Sequence, residues 1–148
     1  MSTETNKAIV HRYLEQVWNE QRRDLFEEFL TENVIYHGIR AGPGLQGVKE
    51  GYDLVLNAIP DIQLTIDDAI AEGNKVVVRW RSRGTHQGAL LGIAGSGNQV
   101  TQSGVSIYRL ANAQIVELWF LTNHISLMRQ LGVIPTLDAV LQSVSNYS

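Results

Sequence analysis

"DIQLTIDDAIAEGNKVVVRWRSRGTH", residues 61 to 86, alternates apolar and polar side chains on either side of a Gly-Asn pair. Alternation with a period of two marks a half-buried strand, because successive side chains leave a strand on opposite faces. The Gly73-Asn74 pair supplies a tight turn, so the stretch predicts a β-hairpin. In its second arm Val76, Val78, Trp80, Ser82, Gly84 and His86 share one face. Lys75, Val77, Arg79, Arg81, Arg83 and Thr85 share the other. A row of unpaired guanidinium groups is too costly to seal in a core. The apolar row therefore points inward, and His86 stands at its end.

Outward from this hairpin, "QVTQSGVSIYRLANAQIVELWFLTNH", residues 99 to 124, predicts a second one turning near Asn112. Its last arm puts Ile115, Glu117, Trp119, Leu121 and Asn123 on one parity, and Val116, Leu118, Phe120, Thr122 and His124 on the other. Both rows are largely apolar, so parity leaves open which one looks inward. Before the hairpins, Ile9, Val10, Tyr13, Leu14, Val17 and Trp18 form the stripe of an amphipathic helix, with Ser2, Thr3 or Thr5 to cap it. His11 falls on its polar face, beside Lys7 and Glu15. A short second helix presents Leu25, Phe26, Phe29 and Leu30, and "NVIYHGI" (33–39) reads as a strand carrying His37. After the turn-rich "RAGPGLQG" (40–47), a helix carries Val48, Tyr52, Val55, Leu56 and Ile59 and stops at Pro60. "ISLMRQLG" (125–132) predicts a short helix ending at Gly132, and "PTLDAVLQSV" (135–144) another. Helices followed by a meander of long strands imply an α+β fold, a curved antiparallel sheet wrapped on helices, in one domain over residues 1–148.

Composition narrows the function classes. With 44% hydrophobic and 18% charged residues among 148, the chain is globular rather than disordered. A net charge of −3 gives no basic field for nucleic acid. The absence of cysteine excludes disulfides and thiolate metal sites, and the four histidines lack metal-ligand spacing. The polar start has no signal-peptide core and no apolar run reaches the ~18 residues of a membrane span, so a cytoplasmic protein without membrane or nucleic-acid partners is expected. Each candidate also has a plain structural use. An inward histidine is commonly a hydrogen-bonded core residue, Asn123 is placed to cap the following helix, and Glu117 to pair with an arginine across the sheet.

The stretches "YHGIRAGPGLQGVKEGYD", "IPDIQLTIDDAIAEGNKVVVRWRSRGTHQGALLGIAGSGNQV", "SGVSIYRLANAQIVELW" and "LMRQLG" together resemble SnoaL-like polyketide cyclases, of the nuclear-transport-factor-2-like superfamily. The Arg-Gly-Thr-His-x-Gly turn, the Ala-Glu-Gly-Asn hairpin and the Glu-x-Trp strand followed by Gln-Leu-Gly carry the resemblance from about residue 5 to 133. It implies a cone-shaped sheet closed by the N-terminal helices, with a ligand pocket in its mouth. It places His86 at the pocket, with the loop holding Leu90 and Leu91 on the rim and Tyr36, Tyr52, Trp80 and Trp119 as further lining. The ligand implied is a small, flat, hydrophobic carbonyl compound, aromatic or polycyclic, and the assembly a homodimer through the open sheet face.

Cyclases of this type close a ring by intramolecular aldol condensation, using acid–base groups and no metal or organic cofactor. The family's aspartate acid/base lies four residues after the strand's tryptophan, which here is Asn123. An amide cannot accept a proton near neutral pH, although it can donate a hydrogen bond to an enolate oxygen. His37 and His86 match family histidine positions, and imidazole titrates near neutrality. Two expectations follow: a cyclase or isomerase-like enzyme with His37 or His86 as base and Asn123 polarising the carbonyl, or a non-catalytic domain binding an apolar metabolite.

Overall fold

The computed structural model describes residues 2–38, 42–134, 138, 141 and 142. The chain begins with α1 (Thr3–Arg12), capped by the Ser2 hydroxyl on the Thr5 amide. It runs directly into a π-helical segment, Tyr13–Asn19. The wider π turn, bonded between residues five apart, brings Trp18 over Tyr13, whose hydroxyl accepts from the indole N–H at 3.3 Å. A 3₁₀ turn (Arg23–Leu25) and the single turn of α2 (Phe26–Phe29) lead into β1 (Leu30–His37). Then come α3 (Gly44–Ala58), β2 (Gln63–Glu72), β3 (Lys75–Thr85), β4 (Gln99–Ala111), β5 (Gln114–Thr122) and α4 (His124–Gln130). The further helix expected over 135–144 falls almost wholly outside the described residues.

The sheet order is β1-β5-β4-β3-β2. The hairpins β2–β3 and β4–β5 are antiparallel and β3 pairs antiparallel with β4, but β1 joins β5 in parallel. The expected all-antiparallel sheet is thus a mixed one. The reason is topological: β1 leaves the sheet through α3, which packs on it, and no tight turn links β1 to β5. Gly73 takes positive φ in the first turn, and Asn112 and Ala113 both do in the second, as a two-residue hairpin turn demands.

The inner face meets α1 and the π-helical segment in the main core. Ile9, Val10, Tyr13, Leu14 and Val17 pack there with Phe26, Phe29, Tyr52, Val76, Val78, Trp80, Tyr108 and Leu118. A second, smaller cluster gathers Ala58, Ile59, Ile62, Val100 and Leu127. Leu56 of α3 packs against both clusters. Among the described residues no helix is long and apolar enough to cross a membrane.

Candidate functional site

The structure resolves the parity left open in β5. Leu118 is buried in the core and Phe120 packs against it, so that row looks inward. Glu117, Trp119 and Leu121 therefore face outward, where Leu121 is exposed. Register carries this outer row across the sheet: Trp119 pairs with Ile107, Ile107 with Val77, and Val77 with Ile70. An apolar stripe thus crosses the outer face, extended by Leu121 opposite Val105.

His86 follows the inward row of β3, as alternation predicts, and is wholly buried. Its ring is spent on the loop that follows. The carbonyl of Ile93 can only accept, so Nε2 carries the proton and donates to it at 3.2 Å. The Ser96 hydroxyl lies 3.1 Å from Nδ1 and also accepts from the Asn98 amide. Backbone bonds from His86 to Asn98 and from Gly97 to His86 complete the clasp. Glycine is required inside it, since a Cβ on Gly95 would stand 2.0 Å from the Gln87 carbonyl oxygen. At the loop's tip Leu91 is exposed with positive φ, while Leu90 packs on the smaller cluster. His86 is a pin for residues 87–98 and has no free nitrogen for a substrate.

His37 lies elsewhere. It pairs in register with Trp119 on the outer face, and the two rings stack at 5.0 Å with planes 11° apart. Its Nε2 donates to Glu117 at 2.8 Å, and the other oxygen of Glu117 accepts from Arg109 at 2.9 Å. Hydrogen bonds from His37 and then Arg109 hold the Glu117 carboxyl below its ordinary range. The cross-strand partnership expected for Glu117 is with Arg109. His37 stands at the level of Val77, nine residues before His86 on β3 and three strands away. The two imidazoles do not share a cavity, and Trp119 is not on the face that holds Trp80.

On the inner face Trp80 is buried and stacks on Phe120 at 5.1 Å, its Nε1–H donating to Ser106 at 3.0 Å. Its cross-strand neighbour is Gly104, where a Cβ would meet the indole at 2.5 Å. Tyr52 is also buried, and its hydroxyl donates to the Val17 carbonyl. Tyr36 is half-buried beside the core, and burial pushes its phenol above its ordinary value. Tyr36, Leu56, Leu64, Ile66 and Phe120 form the partly open margin of the inner face.

Beyond β5 the chain turns into α4. Asn123 is exposed and caps that helix, its Oδ1 accepting from the Ser126 amide at 3.1 Å. The next residue, His124, carries no signal in the sequence because both rows of β5 are apolar. It follows the inward row of Phe120 and Thr122, and its Nδ1 is buried without a hydrogen-bond partner among the described residues. On a helix, residues three and seven further on share its face; these are Leu127 and Leu131, both packed on the smaller cluster. His124 therefore shares the face of α4 that packs on the smaller cluster. Among the described residues no group of His, Asp or Glu could hold a metal ion.

The sequence profile of the SnoaL-like polyketide cyclases matches residues 8–131. Among curated proteins no relative matches. Of solved structures, AclR from Streptomyces galilaeus superposes with a TM-score of 0.86 at 23% identity, covering 99% of this chain and 93% of its own. A protein from Jannaschia sp. CCS1 assigned to the SnoaL-like polyketide cyclases gives 0.80 at 26% identity, covering 90% and 95%. TsrD from Streptomyces laurentii gives 0.82 at 22%, covering 90% and 99%. With the profile spanning most of its length, this chain belongs to the SnoaL-like polyketide cyclase family.

Proposed function

We propose that the protein is a cofactor-independent acid–base enzyme of the cyclase type, acting on a flat, hydrophobic carbonyl compound seated at the margin formed by Tyr36, Leu56, Leu64, Ile66 and Phe120. The observation that carries this reading is the Nδ1 of His124, buried without a partner among the described residues. Buried polar atoms are almost always satisfied, so one that is not calls for an explanation, and a catalytic role is one. His124 adjoins the position where the family resemblance puts its aspartate. In this reading imidazole removes the proton beside one carbonyl, the enolate attacks the second, and imidazolium returns the proton to the new alkoxide. His86 and Asn123, both engaged in holding the backbone, support the fold around the reaction. His37 serves the outer face, whose apolar stripe we assign to a homodimer contact.

The test is ring closure of an aromatic polyketide methyl ester by purified protein. His124→Gln is expected to lower turnover by on the order of 10² or more, with the unfolding midpoint held. Equal turnover in wild type and His124→Gln would overturn the assignment. A second reading, binding without catalysis, is favoured by the engagement of Asn123 in a cap. Stoichiometric capture of the ester without turnover by wild type, with activity gained in Asn123→Asp, would establish it instead.

A further inference from the structure

A groove of about 390 Å³ opens on the outer face, between the far ends of β2, β3 and β4 and the start of α4. Its lining is wholly polar and includes Thr65, Arg81, Arg83, Thr101, Ser103 and Ser126, with no acidic residue among the described ones. The two arginines differ. Arg81 is neutralised by Asp67, which it grips through both Nε and Nη2 at 2.7 to 3.0 Å. Arg83 has no hydrogen bond or carboxylate partner among the described residues. In a chain of net charge −3, this is a local positive concavity furnished with hydroxyl donors.

We propose that the groove binds a small oxyanion-bearing molecule, a carboxylate or a phosphate, with Arg83 as the principal charge. The guanidinium fork matches the two oxygens of either group, and Thr65 and Ser103 supply hydroxyls that satisfy further lone pairs. The volume lies within the range of small-molecule sites, so the ligand carries a body as well as its anionic head. The apolar stripe at Val77, Ile107 and Trp119 is six residues back along β3, roughly 20 Å at strand rise. The groove is therefore apart from that end of the surface assigned to the dimer contact, adjoins its other end where Val105 lies two residues from Ser103 on β4, and is on the opposite face of the sheet from the inner margin.

The experiment is a titration followed by ¹H–¹⁵N chemical shifts at constant ionic strength. One arm uses inorganic phosphate, a second sodium benzoate, and a third sodium chloride as control. Saturable shifts at Thr65 and Ser103 are expected with phosphate or benzoate and not with chloride; the responding arm tells phosphate from organic acid. Arg83→Gln should weaken that binding at least about tenfold, and Arg83→Lys should restore part of it. Absence of saturable shifts up to tens of millimolar, or shifts that survive in Arg83→Gln, would overturn the proposal. So would loss of self-association in Arg83→Gln without anion binding, which would assign the groove to a second copy of the chain.

Discussion

Replacing His86 separates a pin from a catalyst. The ring is fully buried, holding the Ile93 carbonyl through one nitrogen and the Ser96 hydroxyl through the other. Two lost hydrogen bonds cost about 2 kcal/mol, and vacating the ring's volume adds on the order of 1 to 2 kcal/mol. His86→Ala is thus expected to lose about 3 to 4 kcal/mol. His86→Phe keeps most of the volume but strands the Ile93 carbonyl and Ser96, for a loss of about 2 to 3 kcal/mol. The damage should be local first, because the loop's return, residues 93–98, is bound to the sheet's end largely through this residue.

Urea unfolding gives the free energies, and amide exchange gives the location. The Gly97 amide, which donates to the His86 carbonyl, and the Asn98 amide, held by Ser96, should lose protection in both variants, while Val76 and Tyr108 exchange as before. Activity in the ester assay should fall only as far as the loop shapes the site. A stability change under about 0.5 kcal/mol with intact loop protection would refute the pin. Loss of turnover in that same variant would return His86 to the role of base.

Ala113 holds φ at +65° in the β4–β5 turn, a conformation that costs an L-residue about 1 to 2 kcal/mol. Ala113→Gly should raise stability by up to about 1 kcal/mol, less the entropy glycine adds to the unfolded chain, as read by thermal unfolding. The carboxyls of Asp61, Asp67 and Glu117 are held below their ordinary values by Thr85, Arg81 and His37 respectively. Depressed carboxyls contribute stability above their unfolded values of about 4 and lose it as pH falls through the lower folded values. Urea midpoints should therefore drop below about pH 4, and Glu117→Gln should flatten that drop. Leu121→Asp, at an exposed point of the apolar stripe, should leave a monomer in sedimentation velocity if that face joins two copies.

The hairpin of residues 61–86 was legible because its outer face carries arginines, which fixes the inner face by exclusion. The same logic failed in β5. There the outer row of Trp119 and Leu121 is as apolar as the inner row of Leu118 and Phe120, so composition could not orient it. His124, next along the inward row, stayed hidden for that reason. Alternation placed His86 inside, but its loss of both nitrogens depends on Ile93 and Ser96 folding back, a contact set by the path of a glycine-rich loop. The parallel seat of β1 was equally non-local. Nothing in "NVIYHGI" states which edge it joins, and the antiparallel hairpins nearby suggested the wrong sense. That seat is what puts His37 on Trp119 and away from His86.

Asn123 differs in chemistry, and not in the backbone support it needs, from the aspartate that the family resemblance implies there. β5 ends where Thr122 pairs with Gly104, but β4 begins five residues earlier, at Gln99. That bare edge is closed by two amides. Gln130 accepts from the Thr101 amide at 2.8 Å and donates to its carbonyl at 2.7 Å, as a neighbouring strand would. The Asn123 backbone amide donates to the Ser103 carbonyl. Together they dock α4 along β4, which explains a glutamine in the Gln-Leu-Gly motif and sets the position of His124. The cap needs one side-chain oxygen on the Ser126 amide, and an aspartate would supply it as well as asparagine does. With an amide at residue 123 the dock is kept, and that side chain is not ionisable. The imidazole next along the chain is that of His124, which the same dock holds on the α4 face shared with Leu127. The proposed function rests on that arrangement: the aspartate position that the family resemblance implies keeps its backbone support here, and an imidazole stands one residue further on.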